Sequence, residues 1–154
     1  MKPAGPMELL KEAKKLYSSS RLAVLSTHSK KLEGFPFGSI VGYALDYNDQ
    51  ILILISALAQ HTQNLLANPK ASLLVGDWNQ EAPQVGCRLT MMGQIMPATD
   101  VDGGEYFQKF PETKEWAKLD FSFFRFEMEK ALYVGGFGRI LDLKGEDFLH
   151  SSKI

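Results

Sequence analysis

Ile51-Leu52-Ile53-Leu54-Ile55-Ser56-Ala57-Leu58-Ala59-Gln60-His61-Thr62-Gln63-Asn64-Leu65 is the stretch around which the chain is organised. Its first five residues are apolar without alternation and three of them are β-branched, so they predict a strand buried on both faces. The run stops at Ser56, and Leu58, Leu65 and Leu66 then fall at spacings that share one face of a helix. A helix start offers backbone N–H groups with no partner inside the helix, which suits it to hold an anion. The hydroxyls of Ser56 and Thr62 and the imidazole of His61 stand beside that start. Together they form a candidate cradle for a phosphate.

Working outward towards the N-terminus, Asp46-Tyr47-Asn48-Asp49 reads as a hairpin turn into the central strand. Before it, 35–45 predicts a strand, with Pro36 placing its start near an edge. Gly38, Ser39 and Gly42 leave room for something to lie against that strand. His28 to Gly34 is a polar turn, and Arg21 to Thr27 a weakly alternating strand. Pro6 suits a first helical position, and Leu9, Leu10, Ala13, Leu16 and Tyr17 make the apolar stripe of a short helix that packs on a sheet.

Working towards the C-terminus, Asn68-Pro69 closes the helix. Lys70 to Asp77 is a further strand, Trp78 to Gln84 a polar loop, and Val85 to Met96 a long strand in which Gly93 marks a bulge or a close approach. Gly103 to Lys118 has helical composition interrupted at Phe110-Pro111, predicting two short helices. In 119–134, a phenylalanine-rich strand, apolar residues change from odd to even positions between Phe123 and Phe124, which also signals a bulge. Gly135 to Gly138 is a tight turn, Arg139 to Leu143 a short strand, and the tail from Gly145 short and polar. Hairpin-length connections predict a mainly β fold with flanking helices, its antiparallel sheet closed or half closed into a barrel.

The 154 residues, 45% of them hydrophobic and 23% charged, fit one globular domain over 1–154. A formal charge of −1 argues against nucleic acid or an anionic membrane as partner. A single cysteine, Cys87, excludes an intramolecular disulfide framework and fits a reducing compartment. No apolar run approaches the roughly 20 residues of a membrane span, and Lys11, Lys14 and Lys15 interrupt any signal-peptide core. A cytoplasmic protein is the expectation.

Three chemistries find no support. His28, His61, His150 and Cys87 have no ligand-like spacing, so no metal site is expected. Ser56 lacks the flanking glycines of a hydrolase nucleophile elbow, and Gly135 to Gly138 lacks the dinucleotide-binding spacing. Cys87 in an apolar strand reads as a small core residue. What remains is convergence: Ser39, Ser56, His61 and Arg88 could surround one anion, with arginine shaped for two-point contact to phosphate. Each has a structural reading as well, Ser56 as a helix-start hydrogen bonder, His61 as a surface residue and Arg88 as the partner of a carboxylate.

Five segments, in order, carry a family resemblance: 34–39 (GFPFGS), 56–65 (SALAQHTQNL), 68–73 (NPKASL), 88–93 (RLTMMG) and 133–139 (YVGGFGR). They resemble the pyridoxamine 5'-phosphate oxidase-like family, and within it the HugZ-type haem-utilisation branch. The resemblance spans roughly Leu16 to Leu143. It implies an FMN-binding split barrel, a homodimer with flavin mononucleotide held where the subunits meet, and a flavin-dependent oxidoreductase acting on a small-molecule substrate. By position, Ser39 and the backbone around Val41 would line the flavin, Ser56, Gln60 and His61 would hold its phosphate, and Arg88 would reach the ribityl chain or ring. The better-known oxidases carry more lysine and arginine where Gln60 and His61 stand, which implies weaker flavin binding, or none. The alternative the branch implies is a haem-binding or non-catalytic protein using the same groove.

Overall fold

A computed structural model of the chain describes residues 5–79, 86–136 and 138–151. Helix α1 (Pro6–Ser19) precedes strands β1 (Leu22–His28), β2 (Pro36–Gly42), β3 (Ala44–Leu45) and β4 (Ile51–Ser56). Helix α2 (Gln60–Ala67) leads to β5 (Lys70–Gly76) and β6 (Arg88–Pro97). Helix α3 (Gly104–Lys109) and a 3-10 helix (Pro111–Lys118) then lead to β7 (Phe121–Val134), β8 (Ile140–Lys144) and helix α4 (Gly145–His150). Much of the loop expected over Trp78 to Gln84, Val85, and Phe137 of the glycine turn lie outside the described residues, and the strand expected from Val85 begins only at Arg88, with Gly86 and Cys87 ahead of it.

Every strand pairing is antiparallel. The sheet runs β2-β1-β5-β6-β7-β4-β3, with β8 added to β7. Its two end strands, β2 and β3, are consecutive in the chain, so the sheet curls back on itself as a split barrel. The expected single strand over 35–45 is therefore divided at Tyr43, where the chain leaves β1 and joins β4. Tyr43 is fully buried, and its hydroxyl donates to the Tyr17 carbonyl at 2.6 Å, which fixes the corner to α1. The room left at Gly42 is taken by the Phe110 ring, whose edge stands 3.1 Å from where a Cβ would be.

The unbroken apolar run of β4 is explained by its position. Ile51, Ile53 and Ile55 enter the main core, while Leu54 on the opposite face joins Ala44, Tyr106 and Phe110 in a second, aromatic cluster. The same two-sided burial corrects the reading of β7. Phe121 and Phe123 pack on the aromatic cluster while Phe124 and Phe126 enter the main core, so the phase change at Phe123 records two covered faces. The bulge itself lies further on: Gly93 pairs with Met128 and Met92 with Lys130, leaving Glu129 as the extra residue. Inward positions accordingly move from Phe124 and Phe126 to Ala131 and Tyr133. Gly93 was the better marker.

Two further expectations are corrected. Leu58 and Leu66 do not share a buried helical face with Leu65: they are 88% and 58% exposed, against 2% for Leu65. Helix α2 begins only at Gln60, and Thr62, Asn64 and Leu65 form its buried side. The tail from Gly145 is not merely polar, since it folds as α4 and buries Phe148 to 1% exposure. That ring meets Tyr17 edge-on at 5.3 Å between centroids and packs in the main core. Phe148→Ala should therefore cost about 3–5 kcal/mol, the range for truncating a core phenylalanine. A fall of roughly 10 °C in Tm is the corresponding readout for a chain of this size. An unchanged Tm would mean that α4 is not docked.

Candidate functional site

The polar end of the barrel is built by α2 crossing the β1–β2 hairpin. Asn64 is the hub of that junction and is wholly buried. Its Oδ1 accepts from the Lys30 backbone N–H and from Gln60 Nε2, both at 2.9 Å, and its Nδ2 donates to Thr27 Oγ1 at 3.0 Å. A buried amide with three partners satisfies groups on β1, on the hairpin and on α2 at once. This rigid junction presents His61 to β2, where its Nδ1 lies 2.9 Å from Ser39 Oγ. Burial lowers the pKa of His61 below the usual histidine value. The ring is therefore uncharged at neutral pH.

Two of the expected anion ligands are already engaged. Ser56 Oγ donates to Asp120 Oδ2 at 2.5 Å and accepts from the Leu58 backbone N–H at 3.1 Å. The Ser56 hydroxyl holds the Asp120 carboxyl below its ordinary pKa, so a negative charge stands at the mouth of the cradle. Gln60 directs its amide at Asn64 and away from any ligand at the helix start. Val41 is buried in the main core in register with Ala23, which leaves only its backbone near Ser39.

Arg88 does not join the others within one chain. Ser39 is in register with Leu25, Leu25 with Leu73, and Leu73 with Met91. Arg88 precedes Met91 by three residues, so its side chain leaves the opposite face of the sheet, three strand spacings (roughly 14 Å) away along it. The structure thus brings Ser39, Gln60 and His61 together, sets Ser56 at the neighbouring turn beside Asp120, and puts Arg88 elsewhere.

A groove of about 440 Å³ opens beside Thr27 and is lined by His28, Pro36, Lys70, Ser72 and Glu129 among others. Lys70 and Glu129 have opposite charges, so it favours neither sign of ligand. Among the described residues no three His, Cys, Asp or Glu side chains group as a metal site, and no helix is long and apolar enough to cross a membrane.

Asn64 and Asp120 were not found from sequence. A signal existed for Asn64, because Gln60 and Asn64 stand at i and i+4 on one helix face. None existed for Asp120, which reaches Ser56 only through the pairing of β4 with β7.

Known proteins agree with this architecture. The chain is 35% identical over 138 residues to a chloroplastic heme oxygenase, HOZ, of Arabidopsis thaliana, covering 86% of this chain and 42% of that protein. It is 27% identical over 107 residues to the heme oxygenase HutZ of Vibrio cholerae, covering 63% of this chain and 61% of HutZ. The chain therefore spans less than two thirds of either relative's length. The structure of a heme binding protein from Mycobacterium smegmatis superposes with a TM-score of 0.81 at 24% identity, over 97% of this chain and 62% of that one, a likeness of fold. Residues 9–135 match the family model described as pyridoxamine 5'-phosphate oxidase. With that match over most of its length and with these relatives, the chain belongs to the pyridoxamine 5'-phosphate oxidase family, in the company of its HugZ-type haem-utilisation branch.

Proposed function

We propose that this chain binds haem and serves haem breakdown, in preference to acting as a flavin oxidoreductase. The observation that carries the reading is the state of the cradle at the start of α2. A flavin phosphate wants fixed cations and unengaged donors. Here Gln60 is committed to Asn64, Ser56 to an ionised Asp120, and His61 is uncharged. These residues fit an anionic phosphate poorly. They fit haem better, since haem does not depend on fixed cations at the helix start and His61 offers a half-buried imidazole beside β2. The naming of two relatives as heme oxygenases supports the same direction. Haem, when bound, supplies an iron centre able to activate dioxygen, and the protein's part is to hold and orient it.

A second copy of the chain belongs to this proposal. The outer face of β2, β1, β5, β6 and β8 carries Leu22, Ile40, Met92 and Ile140, 49%, 69%, 43% and 60% exposed. Arg88 is on the same face through its register with Gly76 and Val134. A homodimer across this face would cover these exposed apolar side chains and bring Arg88 of one subunit towards the open end of the other.

One titration tests the reading. Added haemin should produce a saturable Soret shift at one haem per chain, while FMN should leave its own fluorescence unquenched, with dimer mass by sedimentation velocity. Tight FMN uptake without a haemin response would reverse the assignment. A monomer at tens of micromolar would remove the dimer from it.

A further inference from the structure

The groove beside Thr27 carries charges of both signs and pairs neither. Lys70, at the start of β5, stands on one wall and Glu129, from β7, on the other. Both are exposed, and neither side chain makes an ion pair or a hydrogen bond among the described residues, with the other or with anything else. Strand β6 runs between them, so their backbones are two strand spacings apart, roughly 10 Å. On the adjoining strand pair the opposite charges do meet, Lys130 with Asp142 at 2.9 Å.

The carboxylate is placed by the backbone. Glu129 is the extra residue of the bulge between β6 and β7, and a bulge re-aims the side chain it releases from the ladder. Two glycines let neighbouring backbone close on that point, Gly93 from β6 and Gly145 from the start of α4. A Cβ on Gly145 would stand 2.0 Å from the Met128 carbonyl oxygen and 3.1 Å from the Glu129 nitrogen. The floor between the walls is small and polar. Ser26 and Ser72 face each other in register on β1 and β5, and neither hydroxyl makes a hydrogen bond among the described residues. His28, one residue beyond the Thr27–Ala71 pair, adds a second polar group at the lysine end. Met92, 43% exposed, supplies a flexible apolar wall.

We propose that this groove binds a small zwitterion, a free α-amino acid or a dipeptide. Its carboxylate meets Lys70 and His28, its ammonium meets Glu129, and its side chain lies against Met92. A simple anion would have to approach Glu129 unpaired, and a simple cation Lys70, so a ligand carrying both charges is the one that matches both walls. Charge-assisted hydrogen bonds at its two ends set its direction as well as its affinity. Neither His61 nor Arg88 lines the groove, so the proposal is independent of haem binding.

The full chain is titrated with leucine, leucylglycine, N-acetylleucine and leucinamide, and the backbone amide signals of Ser26, Ala71 and Ser72 are followed by NMR. Leucine or leucylglycine should shift these signals saturably. N-acetylleucine and leucinamide each lack one charge and should bind about tenfold more weakly or worse. Lys70→Gln and Glu129→Gln, both at exposed positions, should each weaken zwitterion binding about tenfold, while Glu129→Gln leaves N-acetylleucine binding unchanged or tighter. The exchange of Lys70→Glu with Glu129→Lys keeps the net charge and should recover binding, with the zwitterion reversed. N-acetylleucine binding as well as leucine would overturn the proposal in favour of a plain anion site. No saturable shift at these three residues with any of the four ligands, up to tens of millimolar, would overturn it outright.

Discussion

Gly93→Ala should fail to fold stably, although it adds a single methyl group. Gly93 sits in β6 between Ala71 of β5 and Met128 of β7. A Cβ there would stand 2.0 Å from the Glu127 carbonyl oxygen, 2.9 Å from its carbon and 3.1 Å from Met128 Cα. All three are backbone atoms of the neighbouring strand, so no side chain can turn aside to make room. Relief requires β7 to move away from β6, which breaks the bulge and the register of the longest strand pair in the barrel. Overpacking a core commonly costs 1–3 kcal/mol, and a clash against backbone exceeds that, so a loss of about 4 kcal/mol or more is expected. Soluble yield and the urea midpoint report it. Gly38→Ala is the control: nothing lies within 4 Å of its Cβ position, and the midpoint should hold or rise slightly. Equal stability of the Gly93 variant and wild type would show that β6 and β7 do not approach so closely.

That glycine was legible in the sequence because a small residue inside an apolar strand has few other reasons to be there. Strand positions were legible for the same kind of reason, since Ile51 to Ile55 and Leu73 to Val75 declare burial by composition. What local pattern could not carry was which face each residue meets. Phe121 and Phe123 look like a register slip until α3 is seen to cover their side of the sheet. Phe148 looks like one apolar residue in a polar tail until α1 supplies Tyr17 as its partner. The site divides in the same manner. His61 and Ser39 could be paired from a strand and a helix expected to be neighbours. The position of Arg88 depends on counting registers across four strands, and the engagement of Ser56 by Asp120 depends on β4 meeting β7. Side-chain chemistry was readable residue by residue, and its availability was not.

Asn64→Ala should damage fold and site together, because one amide holds both. Three hydrogen bonds end on Asn64, from Lys30 N–H, from Gln60 Nε2 and to Thr27 Oγ1. Thr27 is 3% exposed, so its hydroxyl would lose its donor in a place that water reaches poorly. Each buried group left without a partner costs about 1–3 kcal/mol, and a loss of about 3–5 kcal/mol in unfolding free energy is expected. Gln63→Ala, one residue earlier, removes an exposed bond to the Ala57 carbonyl at 2.7 Å and should cost under about 1 kcal/mol. Thr27→Val provides the coupling. If the bond at 3.0 Å is what ties α2 to β1, the double variant with Asn64→Ala should be more stable than the sum of the two single losses, by roughly 1 kcal/mol. The functional consequence follows from where the helix is anchored. A loosened α2 carries His61 away from Ser39, so haem affinity should fall even in variants that remain folded at low temperature. Additive losses, with haem affinity unchanged in folded Asn64→Ala, would mean that the helix is held by packing alone and that the buried amide has no part in presenting the imidazole.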